Sequence, residues 1–366
     1  MSSRRPSATR TYNMSAHSKI VGGSTASRVI NCPGSVALTA KMPPQAESKY
    51  AAEGTLLHDV IAAIIDGKTP QHISEELHND KIMPALALLD QVDPDKDMEL
   101  AVEVRVDFGD FIPGVFGSVD VLGKIGNRAI ILDWKFGDGV IVEAEENMQL
   151  MFYAAAARRS QPWAFEGVTE VELVIIQPPM IKRWVTTRAR ISRFEDQLFD
   201  AVQQAVKPDA ALKSGDHCRW CTAKPVCPIL TGAVDRAVKV QFDALDKQQI
   251  SIYLQQADLL DSWIAGLREL AQRALDNGQV IPGYKLVAKR GTRKWLDEDK
   301  ARVALVEAGL KDPDVTTLVS PAVAEKKLKK LPDGLTVSVS SGNTMAPDSD
   351  PRPAILQLGQ LLKKVL

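Results

Sequence analysis

Two neighbouring segments, "GVFGSVDVLGKI" (114–125) and "RAIILDWKFG" (128–137), restrict this chain more than any other stretch. Both are rich in β-branched residues, and Gly126 and Asn127 between them suit a tight turn, so they read as an antiparallel hairpin. Alternation along the second strand puts Ala129, Ile131, Asp133 and Lys135 on one face and Ile130, Leu132 and Trp134 on the other. Asp120 and Asp133 each stand inside an apolar run, one per strand. A carboxylate in a buried strand is costly unless it is paired or binds a cation.

The segments around the hairpin complete a layered pattern. "ELAVEVRVDF" (99–108) alternates and reads as a strand, "EVELVIIQPP" (170–179) as a buried strand and "IKRWVTTRAR" (181–190) as another. Helices are expected within 24–35, ending near Cys32, over 49–67, where Leu57, Val60, Ile61, Ile64 and Ile65 follow the helical period, over 143–159 and over 192–212. Helix, three strands, helix, strand is an α/β order: a mixed central sheet flanked by helices, with one crossover. Beyond it, 245–277 and 297–330 read as helical around a basic, strand-like 281–295, which makes the C-terminal extension mostly helical. Residues 331–352 are rich in Pro, Ser, Gly and Asp and are expected as a loop or flexible linker before a short terminal helix. The expected organisation is a flexible leader over 1–23, a domain over 24–230, an α-rich region over 240–330 and a tail over 331–366.

Composition acts mainly by exclusion. With 45 basic and 46 acidic residues the formal charge is -1, so any contact with nucleic acid must come from local patches. No apolar run approaches the roughly 20 residues that span a bilayer, and the N-terminus lacks a secretory apolar core, so a cytoplasmic protein without membrane partners is expected. The pattern GxxxxGK[ST] does not occur, so no helicase motor is expected in the chain.

Asp133 and Lys135 alone fit a salt bridge on a half-exposed sheet. Their company changes that reading. Gly54-x3-His58 on a helix, Gly117-x2-Asp120 on a strand, Asp133-Trp134-Lys135 on the next strand and Gln149-x3-Tyr153 on the following helix occur in one order. This order resembles the RecB-like branch of the PD-(D/E)xK nuclease superfamily, over about residues 24–230. The resemblance implies a restriction-endonuclease-like core in which His58, Asp120, Asp133 and the Trp134 carbonyl hold Mg²⁺ or Mn²⁺. Lys135 would orient or activate the attacking water, and Gln149 and Tyr153 would contact the DNA backbone or support Lys135. Oxygen and imidazole donors suit those ions. Glu53, just before Gly54, is turned away from His58 by the helical spacing.

"HCRWCTAKPVC" (217–227) holds Cys218, Cys221 and Cys227, and Cys32 is the remaining cysteine. The spacing suits zinc or an iron–sulfur cluster. One cysteine before the core and three after it resembles the AddB-type and CRISPR-adaptation nucleases of the same superfamily. That implies a [4Fe–4S] cluster tying the first helix to the C-terminal segment, with Zn²⁺ as the alternative.

In "GYKLVAKRGTRKW" (283–295), Lys285, Lys289, Arg290, Arg293 and Lys294 lie between Tyr284 and Trp295. Cations interleaved with aromatics suit single-stranded nucleic acid, and equally an edge strand protected by charge. Residues 240–366 resemble the tail of a phage family of predicted RecB-like nucleases. The combined expectation is a metal-dependent DNA nuclease, exonucleolytic or flap-type. It would act on single strands or free ends in phage replication or recombination, beside proteins of those processes. The competing expectation is a catalytically idle nuclease fold serving as a DNA-binding or assembly module.

Overall fold

The computed structural model describes residues 18–43, 49–137, 140–232, 247–310 and 317–355. The chain divides into two units, Met1–Leu260 and Asp261–Leu366.

The first unit is built on a five-stranded sheet of order β1-β2-β3-β4-β5. Its strands are β1 (Glu99–Asp107), β2 (Phe116–Ile125), β3 (Arg128–Trp134), β4 (Glu170–Gln177) and β5 (Met180–Thr187). β3 and β4 run parallel and every other pair is antiparallel, so the sheet is mixed. The helices that precede it are α1 (Ala26–Asn31), α2 (Ser35–Thr39), α3 (Lys49–Ile65), the single turn α4 (Glu75–Leu77) and α5 (Met83–Val92). The crossover from β3 to β4 carries α6 (Met148–Ser160), and α7 (Arg188–Ala205) follows β5.

Side chains of α1, α6 and α7 pack on one face of the sheet, and those of α3 and α5 on the other. In β3 the expected alternation holds: Ala129 and Ile131 enter the first core, Ile130, Leu132 and Trp134 the second. α6 is buried without a break from Leu150 to Ala157, as a helix between a sheet and further helices must be.

Two boundaries differ from the sequence expectation, each because of a cap. α6 starts at Met148 rather than 143, since the Asn147 side chain accepts the backbone N–H groups of Gln149 and Leu150. Arg188 to Arg190, expected as strand, form the first turn of α7, because the Thr187 hydroxyl accepts the Arg190 N–H.

The β1–β2 pair contains a feature that period-two reasoning does not reveal. Leu100 and Val102 pack into the second core, whereas Val104, Val106 and Phe108 pack into the first. In β2, Val119 belongs to the first core and Val121 to the second. The pairing offset is the same on both sides of the change, Val102 opposite Val121 and Val104 opposite Val119, so no residue has been inserted. Both strands change face at one level, that of Glu103 and Asp120. Glu103 accommodates the change with φ +49°, a left-handed conformation uncommon outside glycine.

In the second unit, α8 (Lys247–Asp276), which begins before the boundary, is followed by two small antiparallel sheets. β6 (Tyr284–Ala288) pairs with β9 (Asn343–Pro347), and β7 (Thr292–Trp295) with β8 (Thr336–Val339). Helices α9 (Glu298–Glu307) and α10 (Pro321–Leu328) stand between them in sequence, and Leu305, Leu310, Ala324 and Leu331 form a small core. This corrects the expectation of a loop over 331–352, while helix still outweighs strand in the extension as expected. The strands there are four or five residues long, too short for their alternation to stand out against the Pro, Ser and Gly around them. The expected terminal helix, apart from its first residues, and the leader through residue 17 lie outside the described residues. Among the described residues no helix is long and apolar enough to cross a membrane.

Candidate metal centre and the cysteines

β3 ends at Trp134, and the residues around that end converge. Asp133 is 2 % exposed. Its Oδ1 accepts a hydrogen bond from Gln149 Nε2 at 2.8 Å. Lys135 Nζ lies 2.6 Å from Oδ2, but off the direction a hydrogen bond needs, so this buried oxygen has an ionic neighbour and no aligned donor. Lys135 Nζ donates to Gln149 Oε1 at 3.2 Å, and Gln149 Nε2 also reaches the Tyr153 hydroxyl oxygen at 3.1 Å. One amide thus ties Asp133, Lys135 and Tyr153 together, as the expected sharing of a helix face by Gln149 and Tyr153 requires. A Cβ at Gly23 would lie 2.5 Å from the Tyr153 ring and one at Gly117 would lie 3.0 Å from it, so Gly117 leaves room for that ring.

Asp120 belongs to the same group. Its Oδ2 accepts the Trp134 N–H at 2.8 Å and lies 3.3 Å from His58 Nδ1. α3 presents His58 edge-on to Phe136, with ring centroids 5.4 Å apart. Glu53 is exposed.

Glu103 is a member that sequence reasoning missed. His58, Glu103 and Asp120 each offer a ligand atom, and these atoms lie within 4.8 Å of one another. The Glu103 carboxylate also accepts a hydrogen bond from Ser118 Oγ at 3.3 Å. In a regularly alternating β1 this glutamate falls among the solvent-facing polar positions, so its residue type carries no signal. The register that pairs Val102 with Val121 and Val104 with Val119 sets it level with Asp120.

The electrostatics follow from crowding carboxylates in a half-buried site. Burial and the neighbouring Asp120 push the Glu103 carboxyl up to about 7 and that of Asp133 up to about 6. For His58, burial works against the imidazolium, but the hydrogen bond and charge of Asp120, with the charges of Asp133 and Glu103, outweigh it and raise its pKa. Burial, reinforced by the Asp133 charge, holds Tyr153 neutral. The hard oxygen and imidazole donors of His58, Glu103 and Asp120 and the mutual repulsion among the acids fit a divalent cation, and Asp133, paired with Lys135, stands beside that trio rather than in it.

Two of the cysteines, Cys32 and Cys218, touch the strap that follows α7. The Lys213 N–H donates to Cys32 Sγ at 3.4 Å, and the Lys213 carbonyl accepts from Cys218 Sγ at 4.0 Å, so a single residue joins sulfurs far apart in sequence. The Gly34 N–H donates to the Ala211 carbonyl at 2.9 Å, and a Cβ on Gly34 would fall 2.4 Å from the Ala210 carbonyl oxygen. Gly34→Ala is therefore expected to cost about 1–3 kcal/mol, read as a lowered thermal midpoint, because the obstacle is backbone and cannot rotate away. An unchanged midpoint would contradict this contact. Cys32, Cys218 and Cys221 are buried and Cys227 is half-buried. A lone zinc ion holds thiolates roughly 3.8 Å apart, from tetrahedral bonds of about 2.3 Å. Among the described residues no three cysteine sulfurs lie within 4.8 Å of one another.

A family model described as "Protein of unknown function (DUF2800)" matches residues 17–93 and 71–353. The chain belongs to this family. Three solved structures are also similar. "SSO0001" matches at 15% identity with a TM-score of 0.28, covering 56% of this chain and 84% of the other. "LHK-Exo in complex with dAMP" matches at 13% identity with a TM-score of 0.24, covering 49% of this chain and 90% of the other. A "phage related exonuclease" from Haemophilus somnus 129PT matches at 10% identity with a TM-score of 0.25, covering 50% of this chain and 92% of the other.

The DUF2800 match extends over the basic strands, where the structure separates the expected nucleic-acid face into bound and free groups. Lys285 Nζ donates to the Asp350 carbonyl at 2.8 Å, and Arg293 pairs with Glu325. Trp295 donates Nε1–H to the Val319 carbonyl at 2.9 Å and packs on the small core. Tyr284, Lys289, Arg290 and Lys294 are exposed.

Proposed function

We propose that this DUF2800 protein is a divalent-metal-dependent nuclease that hydrolyses phosphodiester bonds of DNA at free ends or in single strands, in phage replication or recombination. The observation that carries this reading is the convergence of His58, Glu103, Asp120, Asp133 and Lys135 at the end of one hairpin. No folding requirement explains three half-buried or buried carboxylates brought together there.

His58, Asp120, Asp133 and the Trp134 carbonyl would hold the ion, with Glu103 as an additional donor. When bound, Mg²⁺ or Mn²⁺ would supply Lewis-acid stabilisation of charge developing on the phosphoryl group. The chain's own contribution is positional. Gln149 fixes the Lys135 ammonium beside Asp133, so that it can orient the attacking water and face a phosphate oxygen. The Trp134 N–H holds the Asp120 carboxylate in place. For the cysteines we favour a [4Fe–4S] cluster linking α1 to the 213–227 segment. What supports this reading is that Cys32 and Cys218, far apart in sequence, both touch the Lys213 peptide.

The deciding experiment is digestion of end-labelled single- and double-stranded DNA with Mg²⁺ or Mn²⁺ by anaerobically purified wild type and Asp133→Ala. Cleavage by the wild type alone is expected. Equal cleavage by both would remove the site, and DNA binding without cleavage by either would favour the assembly module.

The raised carboxyls predict a pH signature. Glu103 has a folded pKa of about 7 against an ordinary 4.5, so the folded metal-free chain binds this proton more tightly than the unfolded one. Its contribution to stability is therefore full below about 4.5 and is lost as pH rises through about 7. Metal binding must displace that proton and reverses the trend. The rise in melting temperature produced by Mn²⁺ over EDTA is expected to grow between about pH 5 and about pH 7.5. A constant increment across that range would exclude Glu103 from the ion's surroundings.

A further inference from the structure

Of the chain's six tryptophans, Trp220 alone is exposed, at 72 %, while the others are buried or half-buried. It ends the tight turn Asp216–Trp220, and the chemistry above gives it no role. Its neighbours impose its position. Cys218 and Cys221 are buried, so the two residues between them, Arg219 and Trp220, are left facing solvent. The turn is tied through its backbone: the Cys218 N–H donates to the Gly215 carbonyl at 2.9 Å and the Cys221 N–H to the Cys218 carbonyl at 3.1 Å. Lys224 Nζ adds a further tie by donating to the Arg219 carbonyl at 2.7 Å.

The indole is set among cations. The Arg219 guanidinium lies over its ring, 5.3 Å from the centroid, within the range of a cation–π contact. Residues 213–227 hold Lys213, Arg219 and Lys224 against a single acid, Asp216, in a chain whose formal charge is -1. Lys213 and Arg219 are exposed, and among the described residues no carboxylate pairs with either. Lysine is depleted at the centre of protein interfaces. Cations around an exposed ring are instead the combination that holds single-stranded nucleic acid, with charge on phosphates and the ring on a base.

The packing of α1 relates this turn to the candidate metal centre. Gly23, shortly before α1, packs against the Tyr153 ring, and Cys32, directly after it, accepts the Lys213 N–H at 3.4 Å. His217 Nε2, within the turn, lies 3.0 Å from the Lys213 carbonyl. The mostly helical run from Gly23 to Cys32 spans on the order of 14 Å, a few nucleotides of a DNA strand.

We propose that Arg219 and Trp220 form a binding platform for single-stranded DNA, in which the indole stacks on one base while Arg219 and Lys213 meet the flanking phosphates. The proposal deepens the nuclease reading above and rests on it. It uses the burial of Cys218 and Cys221 and is independent of what the cysteines hold.

The test uses full-length Asp133→Ala, expected to bind DNA without cutting it, alone and combined with Trp220→Ala, Trp220→Phe or Arg219→Ala. Binding of labelled oligothymidine, of RNA of the same length and of a DNA duplex is followed by anisotropy across a salt series. Trp220→Ala should weaken oligothymidine binding about tenfold and Trp220→Phe by about threefold or less, and both should leave duplex binding within about twofold. Arg219→Ala should also weaken it and flatten the log–log salt slope by about 0.7, the loss of one phosphate contact. Both side chains are exposed, so melting temperatures should stay within about 2 °C of the parent. If Trp220→Ala melts lower than that, ultraviolet cross-linking of bromodeoxyuridine-substituted oligonucleotide to the parent decides: a cross-link at Trp220 supports the platform and its absence overturns it. Unchanged oligothymidine binding in Trp220→Ala would overturn it as well, and so would an equal loss on the duplex, whose bases are already stacked, or a loss confined to RNA. A wild type that binds oligothymidine through Trp220 yet cleaves nothing would overturn the nuclease reading alone.

Discussion

Lys135→Met should slow DNA cleavage by a factor on the order of 10³ while changing Mn²⁺ affinity at neutral pH by about threefold or less. The expectation follows from where the ammonium sits. It lies 2.6 Å from Asp133 Oδ2, yet Asp133 keeps its Gln149 hydrogen bond at 2.8 Å when Lys135 is replaced, so the ion's cradle survives. What disappears is the ammonium beside Asp133, the group proposed to act on water and phosphate. A secondary effect has a definite sign. Lys135 holds the Asp133 carboxyl down against burial and the Asp120 charge, so its removal raises that carboxyl above about 6, and the variant should need a higher pH to bind the ion. Single-turnover cleavage of labelled DNA across a Mn²⁺ titration at several pH values separates the two effects. A variant within tenfold of the wild-type rate would take Lys135 out of the reaction.

Cys32→Ala should release the metal and lower the melting temperature of the loaded protein by on the order of 10 °C. A cross-link closing a loop of well over a hundred residues removes about 5 kcal/mol of chain entropy from the unfolded state. In a domain of this size each kcal/mol moves the midpoint by roughly 2–4 °C. The loop joined here runs from the end of α1 to the segment after α7 and encloses the whole five-stranded sheet. The difference between variant and wild type should shrink sharply once both are stripped of metal, leaving the small packing cost of one buried thiol. Retained metal and an unchanged midpoint in Cys32→Ala would show that the four cysteines do not act as one ligand set.

The hairpin, the crossover and the order of elements can be read from residue type because each is a local pattern. Two β-branched runs about Gly126-Asn127, a helix of good formers and a second apolar strand leave few arrangements. The shared strand face of Asp133 and Lys135 and the shared helix face of Gln149 and Tyr153 were accessible for the same reason. Glu103 was not, because its position depends on a backbone conformation that no period predicts. The short strands β8 and β9 escaped because each pairs with a partner distant in sequence, and nothing local signals that pairing. Trp295 looked like a base-stacking ring because exposure cannot be judged from neighbours in sequence. The fold half-buries it against the small core and uses its indole N–H as a tie.

The change of face shared by β1 and β2 has a consequence for how the site is built. One half of this strand pair is flooring for one helical layer and the other half is flooring for the opposite layer. Glu103 and Asp120 occupy the seam. The group that would hold the ion therefore draws on both layers at once: His58 reaches it from α3 on one side of the sheet, and Gln149, tied to Tyr153, reaches Asp133 from α6 on the other.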